Sequence, residues 1–211
     1  MTRECRLSNP SFLHLHDEEG SLYLGADQEW YPLLWQRKAG CGPTTASHLI
    51  AYHAKKNPAT NLPQVHDKKS MTDLMECLWH YVTPGIMGTH LVSQFTNGVQ
   101  RFFSDKHLKV RVGSLHLSKN KEMRPSIDTI LDFLCTHLRK DRPIAFLNLH
   151  AGEVKNLDSW HWVTIVGLIQ HDAGPAYIEV YDGSKLWIIN ITLWYETTTR
   201  SGGFACIEGC E

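Results

Sequence analysis

The sequence predicts an α+β fold, a helix-rich N-terminal half packed on a largely antiparallel C-terminal sheet. Three observations carry this. Apolar residues recur at helical spacing in four segments between residues 35 and 140. After Arg142-Pro143 the chain turns to β-branched and aromatic runs bounded by turn residues. Two of those runs, HWVTIVGLI and AYIEVYDG, are joined by the hairpin-length connection QHDAGP. A chain of 211 residues fits one domain spanning 1–211, with a helical part at about 35–140 and a sheet part at about 143–200.

In chain order, residues 1–34 read as irregular, with a short strand in SLYLG and a turn through ADQEWYPLL into the first helical region. His14 and His16 alternate in HLH and read as a surface strand or loop. A helix follows from Pro43, with Ala46, Leu49, Ile50 and His53 on its stripe and Lys55 and Lys56 in its last turn. The next is SMTDLMECLWHYV, capped by Ser70 or Thr72, with Leu74, Leu78, Tyr81 and Val82 as its apolar face. LVSQFTNGVQRFFSDK reads as a third helix, interrupted or ended near Asn97-Gly98. LKVRVGSLHL alternates like a strand. PSIDTILDFLCTHLRKD is amphipathic, with Ile127, Ile130, Leu131, Leu134 and Leu138 on one face and basic residues at its end. The C-terminal runs PIAFLNLH, HWVTIVGLI, AYIEVYDG and LWIINITLWYE read as strands.

Composition excludes several classes. With 42% hydrophobic and 20% charged residues the chain is globular rather than disordered. A net charge of -1 leaves no footprint for nucleic acid or an anionic membrane. No apolar run reaches the length of a membrane span, and the first twenty residues hold no apolar core of signal-peptide length. That favours the cytoplasm, and there free thiols are the default for the six cysteines. Cys77 and Cys135 sit in apolar helix stripes and read as core. Cys206 and Cys210 are the only close pair, and no second pair at matching spacing accompanies them, so no metal or cofactor is implied.

Cys41 differs from the rest. It stands at a helix start between Gly40 and Gly42, where a helix N-terminus favours a thiolate and the glycines allow close approach of a substrate. A nucleophilic thiol needs a base. His161 opens the strand HWVTIVGLI beside a polar loop, and Asp182 closes the partner strand. In a hairpin centred near Asp172, residues whose numbers sum to roughly 343–345 face one another, which makes His161 and Asp182 cross-strand neighbours. A one-residue slip would separate them. A carboxylate there fixes the imidazole tautomer and stabilises the imidazolium. Gln36, five residues before Cys41, is placed to donate to an oxyanion alongside the Cys41 backbone N–H. His150 is the rival base but lacks a comparable acid. Trp35, Trp160 and Trp162 read as wall and core around the site.

Gln36, the run CGPTTAS from Cys41, then HWVTIVG and YDG, in that order, resemble the C39-like cysteine peptidases of the papain-like superfamily. The resemblance implies a papain-like cysteine protease fold, with Cys41 as nucleophile, His161 as general base and acid, Asp182 as orienting group and Gln36 in the oxyanion hole. It implies a thiol-dependent hydrolase that cleaves a peptide or amide bond in a peptide or protein substrate. The double-glycine specificity of transporter-fused members does not carry over. Two other readings stand beside it. One is a papain-like acyltransferase or transpeptidase using the same thiol, and the other a non-catalytic peptide-binding domain of the same fold.

Overall fold

The structure is a computed structural model, and it describes residues 2–172 and 174–210, the side chain of Cys210 excepted. The elements in order are β1 (Thr2–Arg6), β2 (His14–His16), β3 (Leu22–Leu24), α1 (Leu34–Ala39), α2 (Cys41–Lys56), α3 (Lys68–Trp79), α4 (Val92–Asp105), β4 (Val110–Leu117), α5 (Ile127–Arg139), β5 (Ile144–Asn148), β6 (His161–His171), β7 (Ala176–Asp182), β8 (Lys185–Asn190), α6 (Ile191–Thr197) and β9 (Gly202–Cys210). The α+β class holds. Seven strands form one sheet in the order β4-β9-β5-β6-β7-β8, with β1 added on β6, and every pairing in it is antiparallel. β2 and β3 form a separate hairpin.

Helices cover both faces of the sheet, which is why all five residues of β5 are buried. On one face Phe133 of α5 and Trp194 of α6 meet Phe204, which stacks on Phe146 with ring centroids 5.0 Å apart. On the other, Phe95 of α4 stacks on Trp162 at 4.4 Å, and α2 packs across β6 and β5. This second layer brings the N-terminus of α2 to the end of the sheet where β6 begins.

Several expectations change. In the N-terminal 34 residues β3 is the strand expected in SLYLG and β2 falls on HLH, whereas β1 is an addition to the irregular segment expected there. The sheet also extends beyond residues 143–200 to β1, β4 and β9. β9 escaped notice because two glycines open it and its apolar residues are consecutive rather than alternating. LWIINITLWYE is not one strand. Asn190 accepts a hydrogen bond from the Leu193 backbone N–H and starts α6, a side-chain cap that overrides the β-branched composition around it. α4 continues through Asn97-Gly98, where a Cβ would stand 2.5 Å from the Tyr81 carbonyl oxygen, so the glycine there serves close packing rather than a break. Asp67, not Ser70 or Thr72, caps α3 by accepting from the Ser70 N–H at 2.7 Å.

The thiols are not all free. Cys5 on β1 and Cys135 on α5 form a disulfide across a separation of 130 residues, with Cα atoms 5.3 Å apart. It ties the first strand to the helix beneath it. The bridge overturns the free-thiol expectation for Cys5 and Cys135, and disulfides are rare in cytosolic proteins. Cys41, Cys77 and Cys206 are free. Among the described residues no helix is long and apolar enough to cross a membrane.

Candidate active site

Cys41 is the first residue of α2, two positions ahead of Pro43. The short helix α1 ends at Ala39, so Gly40 joins two helices and Cys41 is half-buried at the second one's start. N–H groups in a first helical turn have no partner within their own helix, which leaves donors and a favourable dipole beside the thiol. Gly42 is packed tightly, since a Cβ would lie 2.7 Å from the Thr89 hydroxyl. Any larger residue would push the segment 83–91 off the thiol.

His161 and Asp182 come together as the sequence suggested, though not by the simplest register. Thr164 pairs with Tyr181 and Ile165 with Val180, whereas Gly167 pairs with Glu179. One extra residue, Val166, sits in β6 between the two registers. A further step along the ladder sets Asp182 opposite Val163, so His161 is its diagonal neighbour on the same side. Without the bulge Asp182 would fall opposite Thr164 and on the alternate side. The side chains close the diagonal: His161 Nε2 donates to Asp182 Oδ1 at 2.7 Å. Asp182 is also a turn residue. Gly183 and Ser184 follow with φ of 55° and 60°, a two-residue hairpin turn that ends β7 at the carboxylate.

With Nε2 taken by Asp182, Nδ1 is the ring nitrogen left to act on Cys41, which lines the same small cavity as His161 and Asp182. Burial works against the charged imidazole, but the bonds to Asp182 and Cys41 and their negative charges outweigh it and raise its pKa to about 10. The preceding residue, Trp160, has a left-handed backbone (φ 59°), uncommon for a bulky side chain, which turns the chain into β6 at His161. Gln36 is buried on α1, and its Oε1 accepts from the Leu33 N–H at 3.3 Å. That leaves the amide NH2 as the part of Gln36 able to donate.

His150 is excluded as the base on geometry. Its Nδ1 accepts from the backbone N–H groups of both Gly152 and Thr199 at 3.2 Å, so it organises the loop after β5. The tryptophans divide. Trp162 is core, its indole N–H donating to the Thr89 carbonyl at 2.6 Å, while Trp35 and Trp160 stand exposed at the rim.

Sequence reasoning missed two parts of the site. The first is a cleft of about 360 Å³ beside Cys41, walled by Trp35, Ile86, Met87, Thr89, Leu149 and Trp160. Ile86 is 98% exposed at the tip of a loop pinched by a Gly85–Gly88 bridge, an exposure that water alone does not favour. The tripeptide GIM between turn residues was the available signal.

The second is His48, two turns along α2 from Cys41 and fully enclosed. Its Nε2 accepts the Ala26 backbone N–H at 2.6 Å, so the proton is on Nδ1, which donates to Thr164 Oγ1 at 2.7 Å. Burial depresses its pKa to about 4, with only partial opposition from the charge of Asp182. The two histidines therefore act on stability with opposite signs. His48, depressed, contributes fully above pH 6.5, and that contribution is lost as pH falls toward 4, roughly 3 kcal/mol in all. His161, raised, contributes fully below 6.5 and loses its contribution as pH rises toward 10. Denaturant unfolding across pH should therefore show greatest stability near neutrality, and His48→Gln should flatten the acid side alone.

No protein-family model matches the sequence, and no curated protein matches it.

Proposed function

We propose that the protein is a thiol-dependent hydrolase of papain-like fold that cleaves a peptide or amide bond through an acyl-enzyme on Cys41. The observation that carries this reading is His161 bonded through Nε2 to Asp182 and lining one small cavity with Cys41. That is the arrangement a cysteine nucleophile needs, a base in reach and a third group that fixes its tautomer.

Cys41, paired as a thiolate with the protonated His161, attacks the scissile carbonyl. Asp182 holds the imidazolium in place. The oxyanion is met by first-turn N–H groups of α2 and the amide NH2 of Gln36. His161 then protonates the leaving amine, and water, deprotonated by the same imidazole, releases the acid. The order Gln36, Cys41, His161, Asp182, on an α+β fold with an antiparallel sheet, supports a place among the C39-like cysteine peptidases. The walls of the cleft favour a substrate with a bulky apolar side chain next to the scissile bond.

The test is a digest of a mixed peptide library followed by mass spectrometry. The expected result is cleavage with an apolar residue enriched at one side of the cut. Unchanged peptides in which an added amine or thiol acceptor becomes acylated would point to the transferase alternative. No covalent turnover, with peptides bound intact, would point to the binding domain.

A further inference from the structure

A second group of ligating side chains lies at the opposite end of the sheet. The His161–Asn148 pair marks the catalytic end, where β6 begins and β5 ends, whereas Cys206 on β9 pairs with Ile144 at the far end of β5. Cys206 and Glu208 alternate along β9 onto the face covered by α5, and His137 reaches them from the last turn of that helix. One ligand atom from each of the three lies within 4.8 Å of the others.

The local structure is arranged around this meeting. In the β4–β9 ladder Arg111 pairs with Gly209 and Val112 with Ile207, so Glu208 is the extra residue of a bulge, a device that re-aims a side chain. Its carboxylate occupies the space above Gly113, where a Cβ would lie 2.3 Å from Oε1. The two carboxylate oxygens are divided, Oε2 to Arg111 and Oε1 toward His137. Yet the three groups do not satisfy one another. His137 Nε2 stands 3.9 Å from Glu208 Oε1, beyond hydrogen-bond range, and its buried Nδ1 has no partner among the described residues. Buried polar groups normally have one.

We propose that His137, Cys206 and Glu208 bind a divalent transition-metal ion of the zinc type, which pins the end of α5 to β9. The donor set of one thiolate, one imidazole and one carboxylate matches zinc and not calcium or magnesium, which take oxygen ligands alone. Donors of a tetrahedral zinc site lie about 3.5 Å apart, so the cluster closes on an ion with a small contraction. Charge also balances. Arg111, Lys140 and Arg142 surround His137 with positive charge, but the thiolate and carboxylate neutralise the added ion while Arg111 keeps its pair with Oε2. Burial and the charge of Glu208 push the Cys206 thiol up to about 12, so binding must displace its proton.

The test uses Co²⁺ and Zn²⁺ with the full chain carrying Cys41→Ala, which removes the nucleophile thiol, and with the Cys5–Cys135 bridge intact. One equivalent of cobalt should give thiolate-to-cobalt absorption and visible ligand-field bands, and zinc should displace it. Adding Cys206→Ser should abolish the thiolate band, and His137→Gln should weaken binding and alter the ligand-field bands. Zinc should raise the melting temperature of the Cys41→Ala chain but not of the Cys206→Ser form. No thiolate band, or an equal band after Cys206→Ser, overturns the proposal. Because His137→Gln keeps the thiol, a Cys206→Ser chain that fails to fold leaves its ligand-field comparison as a second decisive readout.

Discussion

Replacing Cys41 with serine should abolish turnover of any cleaved peptide, by about 10⁴-fold or more in kcat, with folding unchanged. The change removes one polarisable atom from a half-buried position and disturbs little packing. What it removes is chemical. A serine hydroxyl does not give its proton to His161 at neutral pH as a thiol does, because its own acidity is far lower. Parallel circular dichroism and melting curves distinguish lost chemistry from lost structure. A Cys41→Ser protein that still cleaves would remove the acyl-enzyme from the account and leave the hairpin pair without its substrate-facing partner.

The second large effect is expected at Asp182. Asp182→Asn keeps the size of the side chain and removes the charge that helps hold His161 protonated. A loss of about 10²- to 10⁴-fold in kcat is expected, the range associated with a positioned acid–base group and its orienting carboxylate. The pH profile carries the distinctive signature. Burial depresses the imidazole, and Asp182 is among the groups that overcome it. With the carboxylate gone, His161 loses its proton at lower pH, so the alkaline limb of the activity profile should move down. An unchanged limb would mean that Asp182 acts only as the first residue of its turn.

The meeting of His161 with Asp182 near Cys41 was legible in the sequence, and for a physical reason. A cysteine at a helix start and a histidine at a strand end are set by local pattern. A short hairpin connection then limits which carboxylate can reach the base. Even so, the bulge at Val166 was invisible, and the dyad depends on it. Nothing local to His48 marks its role, because its partners, Ala26 and Thr164, come from distant segments. The disulfide between Cys5 and Cys135 is hidden for the same reason, as nothing local relates a strand at the N-terminus to a helix 130 residues later. At α6 the failure is different in kind. The aromatic and β-branched run favoured a strand, and a single asparagine cap with tertiary packing of Trp194 decided for helix.

The central claim is that Cys41 is activated by His161, and the rate of alkylation by iodoacetamide tests it most directly. Mapped by mass spectrometry near neutral pH, Cys41 should label well ahead of Cys77 and Cys206, and His161→Ala should abolish that lead. Labelling of Cys41 no faster than Cys77, or a lead that survives His161→Ala, would contradict it.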